Sequence, residues 1–97
     1  MNAGLAKLQY AIETMHHCKA RHVAAKLVVE MFRGKVAWDG VVETFDLTGH
    51  PKAKRCHAWS FEEGGEKQYV TVLELPPVDS PESAVKVAIA ATAHSAI

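Results

Sequence analysis

The feature that most constrains this chain is residues 23–47, where apolar and polar side chains alternate with the period of two typical of a β-strand. In the first half every second residue is apolar: Val23, Ala25, Leu27, Val29 and Met31. Arg33-Gly34 follows, and the glycine accepts the positive φ that a tight hairpin turn requires. We therefore predict a hairpin with strands over residues 23–32 and 35–47.

A helical interpretation of residues 20–32 stays open beside the hairpin. Alanine, leucine, lysine and methionine all permit a helix, and Gly34 is a plausible residue to end it. The first helix would then continue to Phe32 and the order would be α-β-β-β-α. The strand is favoured because a helical face through Val23 and Leu27 would soon meet Glu30.

Helices are predicted on both sides of the sheet-forming region. Apolar residues recur at helical spacing near the start of the chain, which predicts a helix over residues 3–17. The members of this stripe are Leu5, Leu8, Ile12 and Met15. Near the end, Ser80 can cap a helix, Pro81 suits its first position and Glu82 complements its positive end, which predicts a helix over residues 81–94.

Two further strands are predicted between these helices, over residues 54–61 and 67–75, with a polar turn containing Gly64 and Gly65 between them. At 97 residues the chain is expected to form a single domain, residues 1–97. The predicted fold is α+β with the order α-β-β-β-β-α. An antiparallel four-stranded sheet and two helices on one of its faces would form a two-layer sandwich.

The second strand changes parity near its middle. Trp38 and the later apolar residues Phe45 and Leu47 occupy positions of opposite parity. We predict a β-bulge at Asp39-Gly40, because an extra residue there would return both halves to one face.

The sheet carries too much apolar surface for one covered face. If the set that begins at Val23 faces the helices, the opposite face of that strand still offers Val28 and Phe32, and the third strand adds Trp59 and Phe61. An apolar second face needs a cover, and a second copy of the chain is the simplest one. We expect a non-enzymatic homodimeric interaction module.

A small-ligand site is the alternative function. Aromatic rings with a few polar groups are typical of ligand pockets, and five residues of the predicted sheet provide them. They are Trp38, Glu43, His57, Trp59 and Tyr69. A catalytic pair of Glu43 and His57 across the sheet is conceivable, but nothing in the sequence supports an enzyme, and no catalytic residue or cofactor is predicted.

A third alternative is anion binding by the loop that contains His50, Lys52, Lys54 and Arg55. Lysine plus arginine and aspartate plus glutamate number eleven each, so the whole chain lacks the basic charge of a nucleic-acid-binding domain. The helix-sheet-helix order resembles double-stranded RNA-binding domains in topology. Their last helix begins with lysines, whereas this one has Glu82, so phosphate contacts are not expected there.

Histidines and cysteines form two groups along the chain, but no metal site is predicted. One group is His16, His17, Cys18 and His22, and the other is His50, Cys56 and His57. Their spacings match no paired-ligand pattern of a zinc site, and the neighbours Cys56 and His57 should point to opposite faces of a strand.

The sequence predicts a cytoplasmic protein. Two cysteines are too few for a disulfide framework, and the chain shows neither a signal peptide nor an apolar run long enough to cross a membrane. The segment from Trp38 to Trp59 resembles short uncharacterised bacterial proteins, a resemblance that implies no particular activity.

Overall fold

The computed structural model describes residues 3–95, and side chains through residue 91. Its elements follow the order α1 (Ala3–His16), β1 (Lys19–Phe32), β2 (Lys35–Thr48), β3 (Arg55–Glu63), β4 (Glu66–Leu73) and α2 (Pro81–Ser95). The four strands form one antiparallel sheet in the order β1-β2-β3-β4. The predicted α+β class, the element order and the four-stranded sheet are confirmed, and the alternative with a long first helix is wrong.

Local signals account for the boundaries of these elements. His17 takes a positive φ of 52°, which ends α1 one residue earlier than predicted. Arg33 and Gly34 both have positive φ, as do Gly64 and Gly65, so each hairpin closes with the backbone geometry that matches strand twist.

The start of α2 is capped in both directions. The backbone N–H of Ser83 donates to Ser80 Oγ at 3.1 Å, and the N–H of Ser80 donates to Ser83 Oγ at 3.0 Å. This reciprocal arrangement satisfies backbone groups that the first helical turn would otherwise leave unpaired. The predicted cap at Ser80 is confirmed.

The two helices lie on opposite faces of the sheet, so the prediction that both share one face is wrong. Leu8 and Ile12 of α1 pack in a core with Phe45, Cys56 and Ala58. A second core joins α2 to strand residues of the other parity. Its buried members are Val28, Val42, Trp59, Val78, Ala84 and Val85. Because successive side chains of a strand point to opposite faces, the architecture is helix–sheet–helix.

Two irregularities in the pairing of β1 with β2 decide which residues face which helix. The register shifts between His22 and Ala24, where Val23 is the extra residue, and again opposite Glu30 and Met31, where Ala37 is extra. Residues 20 and 22 therefore face α1. The even-numbered residues from 24 to 30 face α2. The predicted bulge at Asp39-Gly40 is wrong, since both residues pair regularly with β1.

Gly40 has a packing role instead of a bulge. A Cβ atom at Gly40 would lie 3.0 Å from Cη2 of Trp38, the same-face neighbour two residues earlier. The glycine thus leaves room for the indole ring to lie along β2 on the α2 face. Trp38 and Phe45 consequently lie on opposite faces of one regular strand.

Candidate functional site

The distal half of the β1–β2 hairpin presents an apolar face that neither helix covers. We call this surface the open hairpin face, and its large members are Leu27, Val29, Met31, Val36 and Val41. Each exposes about half of its surface or more, up to 67% for Leu27. The arrangement considered from the sequence, in which Leu27, Val29 and Met31 face the helices, is not the one that the structure has.

The bulge at Val23 and the reach of α1 together explain why this face is open. Val28 points toward α2 and is 2% exposed, so its neighbours Leu27 and Val29 must point the other way. On that side α1 covers the sheet around Phe45 and Ala58, near the opposite end of the hairpin. The pairs Leu27–Val41 and Met31–Val36 lie beyond the packed residues of α1.

The outer edge of β1 is also unpaired within residues 3–95, because β1 is the terminal strand of the sheet. On the side that faces α2, β1 forms two ion pairs with that helix. Lys26 pairs with Glu82, which lowers the pKa of that carboxyl group, chiefly through the hydrogen bond from Lys26. Glu30 lies 3.9 Å from Lys86, and its side chain is only 13% exposed. The edge therefore presents one cation and one carboxylate in alternation with apolar residues.

A large apolar groove runs between α2 and the sheet. Its volume is about 1040 Å³. Trp38 and Trp59 meet there edge to face, with ring centroids 5.3 Å apart, and Val72, Val85 and Ile89 belong to its walls. The lining also includes His16 of α1 and Thr71, which lie on the opposite face of the sheet at its β4 edge, and the His16 ring is hydrogen-bonded to the Thr71 hydroxyl at 2.8 Å.

The five residues of the predicted ligand site do not form one pocket. Trp38, His57 and Trp59 lie on the α2 side of the sheet, whereas Glu43 and Tyr69 lie on the α1 side. The two tryptophans line the groove, but His57 is buried. The residue types alone identified Trp38 and Trp59 as candidates. They could not show on which face of the sheet each predicted residue lies, because that depends on the positions of the bulges.

His57 belongs to a polar row that the sequence analysis missed, in which Thr44 and His57 are buried and Glu74 is partly exposed. Its Nδ1 is 2.9 Å from the hydroxyl of Thr44, and its Nε2 is 2.8 Å from a carboxylate oxygen of Glu74. With the ring proton on Nε2, that N–H donates to Glu74 and Nδ1 accepts from Thr44. The pairing of His57 with Glu43 that the sequence left open is not formed, because Glu43 instead accepts from His22 Nε2 at 2.7 Å.

A hydroxyl, an imidazole and a carboxylate in this order are the groups of a nucleophile–base–orienter row. Here Thr44 is 4% exposed and His57 is 1% exposed, so a substrate does not reach the hydroxyl. The row instead satisfies polar groups inside the fold, where an unpaired group would be costly. Only the pairing register of β2 with β3 could have indicated that Thr44 meets His57.

The two thiols are poor nucleophiles in this fold. Burial raises the pKa of Cys56 to about 12, and the thiol donates to the carbonyl oxygen of His57 at 3.7 Å. Burial, together with the charge of Glu13, also raises the pKa of Cys18. Because the thiolate is the reactive form, neither cysteine is activated.

The basic loop is partly neutralised by an aspartate that the sequence analysis did not select. Asp46 accepts from Arg55 Nε at 3.0 Å and from Arg21 at 3.3 Å. His50 is turned inward, and its Nδ1 accepts from the backbone N–H groups of Lys52 and Ala53. Lys52 and Lys54 are exposed. Anion binding by this loop stays a prediction that rests mainly on these two lysines.

The histidines near the end of α1 lie close together without forming a metal site. The ring centroids of His16 and His50 are 6.2 Å apart. Burial, followed by the charges of His50 and His17, lowers the pKa of His16. In the part of the chain that the structure describes, no group of three or more His, Cys, Asp or Glu side chains is arranged to hold a metal ion.

Comparison of the chain with protein-family models, with curated proteins and with solved structures finds no match. Among the described helices, none is both long and apolar enough to cross a membrane.

Proposed function

We propose that this protein is a homodimeric interaction module whose self-association uses the open hairpin face and the adjoining edge of β1. The single observation that carries the proposal is the uncovered apolar row of Leu27, Val29 and Met31 on the terminal strand of the sheet. A terminal strand with exposed apolar side chains is a template for pairing with another strand.

The size of this surface supports the proposal. Its five large side chains expose on the order of 500 Å², which is near the upper end of the largest apolar patch on a typical monomer. A stable interface buries roughly 800 Å² from each partner, and the backbone edge of β1 lies directly beside the patch. The apolar patch alone is smaller than one partner's share of such an interface, so the backbone edge of β1 is needed as well.

Two methionines of almost equal exposure allow a matched test. Met31 lies on the open hairpin face and is 57% exposed, whereas Met15 lies on α1 and is 56% exposed. Sedimentation of Met31→Lys should give a dimer dissociation constant raised roughly tenfold or more, because the ammonium would be placed in the interface. Met15→Lys should behave as the wild type. Equal behaviour of the two variants would contradict the proposal.

A second function, binding of an apolar small molecule, is favoured by the groove beside Trp38 and Trp59. Its volume of about 1040 Å³ is at the upper end of typical ligand pockets, and apolar residues dominate its walls. The polar pair His16 and Thr71 would contact a single polar head group. An aliphatic amphiphile therefore suits the groove better than a highly charged metabolite.

The chain contains only these two tryptophans, so their fluorescence reports on the groove. Titration with decanol or decanoate should shift the emission saturably, and Ala88→Trp should weaken the effect by filling the groove. Tyr10→Trp, at an exposed position of α1, is the control for the added indole. A linear, unsaturable response to both amphiphiles would exclude this function.

A further inference from the structure

We infer that two copies pair antiparallel along β1 in one register, with Val28 on the two-fold axis and Lys26 opposite Glu30 of the partner subunit. This inference rests on the proposed function and specifies the geometry of the dimer. It would extend the four-stranded sheet into a continuous sheet of two chains.

The regular part of β1 defines the centre of this pairing. The bulge at Val23 interrupts the strand at one end, and the turn at Arg33 ends it at the other. The intervening residues 24–32 pair without an extra residue on β1 and have Val28 at their midpoint. A symmetric antiparallel pair that uses the whole regular segment therefore has its axis at Val28.

Charge distinguishes this register from its neighbours. With the axis at Lys26 or at Glu30, that residue would lie opposite its own copy, and like charges directly opposite are destabilising. With the axis at Leu27 or Val29, either Lys26 or Glu30 would face an apolar valine. Only the axis at Val28 places each lysine opposite a glutamate on both sides of the two-fold.

The surroundings of Glu30 favour this additional partner. Its carboxylate is largely buried, and its ion pair with Lys86 is long at 3.9 Å. The partner subunit's Lys26 would bring a second cation to it. A row of four side chains with alternating charge would then cross the interface: Glu82, Lys26, the partner's Glu30 and the partner's Lys86.

Apolar side chains are complementary in the same register. On the open hairpin face Leu27 would lie opposite Val29 of the partner subunit, and Met31 opposite the partner's Ala25. Leu27 and Met31 would then have a neighbouring strand on both sides, with Val41 beside Leu27 and Val36 beside Met31 on β2. Large side chains in opposite positions of adjacent strands contribute to pairing.

Asp39 favours edge pairing over stacking of two open hairpin faces. It pairs with Val29 and lies on the same face, in the middle of the apolar row. Stacking would bury two copies of this carboxylate, which is costly without a counter-charge. Pairing along β1 leaves Asp39, on the second strand, in contact with water.

Charge exchange tests the register. Lys26→Glu and Glu30→Lys should each weaken self-association roughly tenfold or more, because each places like charges opposite one another twice. An equimolar mixture of the two variants should form a heterodimer about as tightly as the wild type, since both opposite pairs become complementary. Lys19→Glu, on β1 but outside residues 24–32, should leave the dissociation constant unchanged.

Cysteine cross-linking gives a second readout at exposed positions that do not contact α2. Leu27→Cys and Val29→Cys should form a disulfide with each other when mixed, and far more slowly with themselves, because only directly opposite residues lie within disulfide distance. If the wild type is dimeric but the mixtures show neither restored association nor preferential cross-linking, the register is wrong and the proposed function stands. A monomeric wild type would overturn both.

Discussion

His57 donates to Glu74 across 2.8 Å, and this bond joins β3 to the chain segment that leads into α2. The His57 side chain is buried, whereas that of Glu74 is 29% exposed, so removal of the carboxylate leaves a buried N–H without its protein partner. Glu74→Ala is expected to lower the free energy of unfolding by about 1.5–3 kcal/mol, the range for hydrogen bonds to charged groups. Urea denaturation of the variant measures this change.

Glu74→Gln is the matched control for that variant. Its side-chain oxygen can still accept from Nε2, so it should cost clearly less than Glu74→Ala. Equal losses in the two variants would show that the carboxylate acts by its charge and not as a hydrogen-bond acceptor.

Gly40 is expected to tolerate alanine poorly because of Trp38. The added Cβ would lie 3.0 Å from the indole, closer than ordinary van der Waals contact, so the ring must shift within the groove. The expected loss in unfolding free energy is about 1–3 kcal/mol, with a change in tryptophan emission. In a Trp38→Leu background the same substitution should cost much less, and an unchanged cost there would locate the strain elsewhere.

Acid should destabilise the fold through His16. Burial lowers its pKa below the ordinary value of 6.5, so the unfolded chain binds a proton at a pH where the folded chain does not. The contribution of His16 is complete above pH 6.5 and is lost as the pH falls through the folded pKa. Unfolding free energies measured over this range should fall less steeply for His16→Gln than for the wild type. Identical slopes would exclude His16 as a source of the acid sensitivity.

Asp46 is expected to limit anion binding by the basic loop. Asp46→Asn removes the counter-charge of Arg21 and Arg55, so retention on a sulfated polyanion column should shift to higher salt. Lys52→Ala should shift the elution of this variant back toward lower salt. If Asp46→Asn leaves retention unchanged, the loop is not an anion site.

Much of the fold could be predicted from local signals. Alternation from Val23, the glycines of the two turns and the cap at Ser80 correctly indicated the strands, the hairpins and α2. These signals act within a few residues, and no longer-range information is needed to interpret them.

The assignment of faces failed because two bulges carry no sequence signal. Val23 and Ala37 are extra residues without a neighbouring glycine or proline to mark them, and each reverses the relation between parity and face. As a result Leu27 was expected inside and is exposed, while Val28 was expected on the opposite face and is buried. Alternation alone shows that a strand has two faces but not which one is covered.

The site could be predicted only in part for the same reason. Apolar excess in the sheet predicted an uncovered face, but the surface expected to be open lies on the α2 side, where Val28 and Trp59 are buried. The apolar face that is exposed is the opposite one, with Leu27. Contacts between distant residues, such as Thr44 with His57, depend on strand register and leave no local pattern.

The molar mass of the wild type in solution tests the central proposal most directly. Light scattering on a size-exclusion column at micromolar concentrations should give twice the chain mass of 10.6 kDa, decreasing toward 10.6 kDa on dilution. A mass of 10.6 kDa at every concentration would contradict self-association through the open hairpin face and β1.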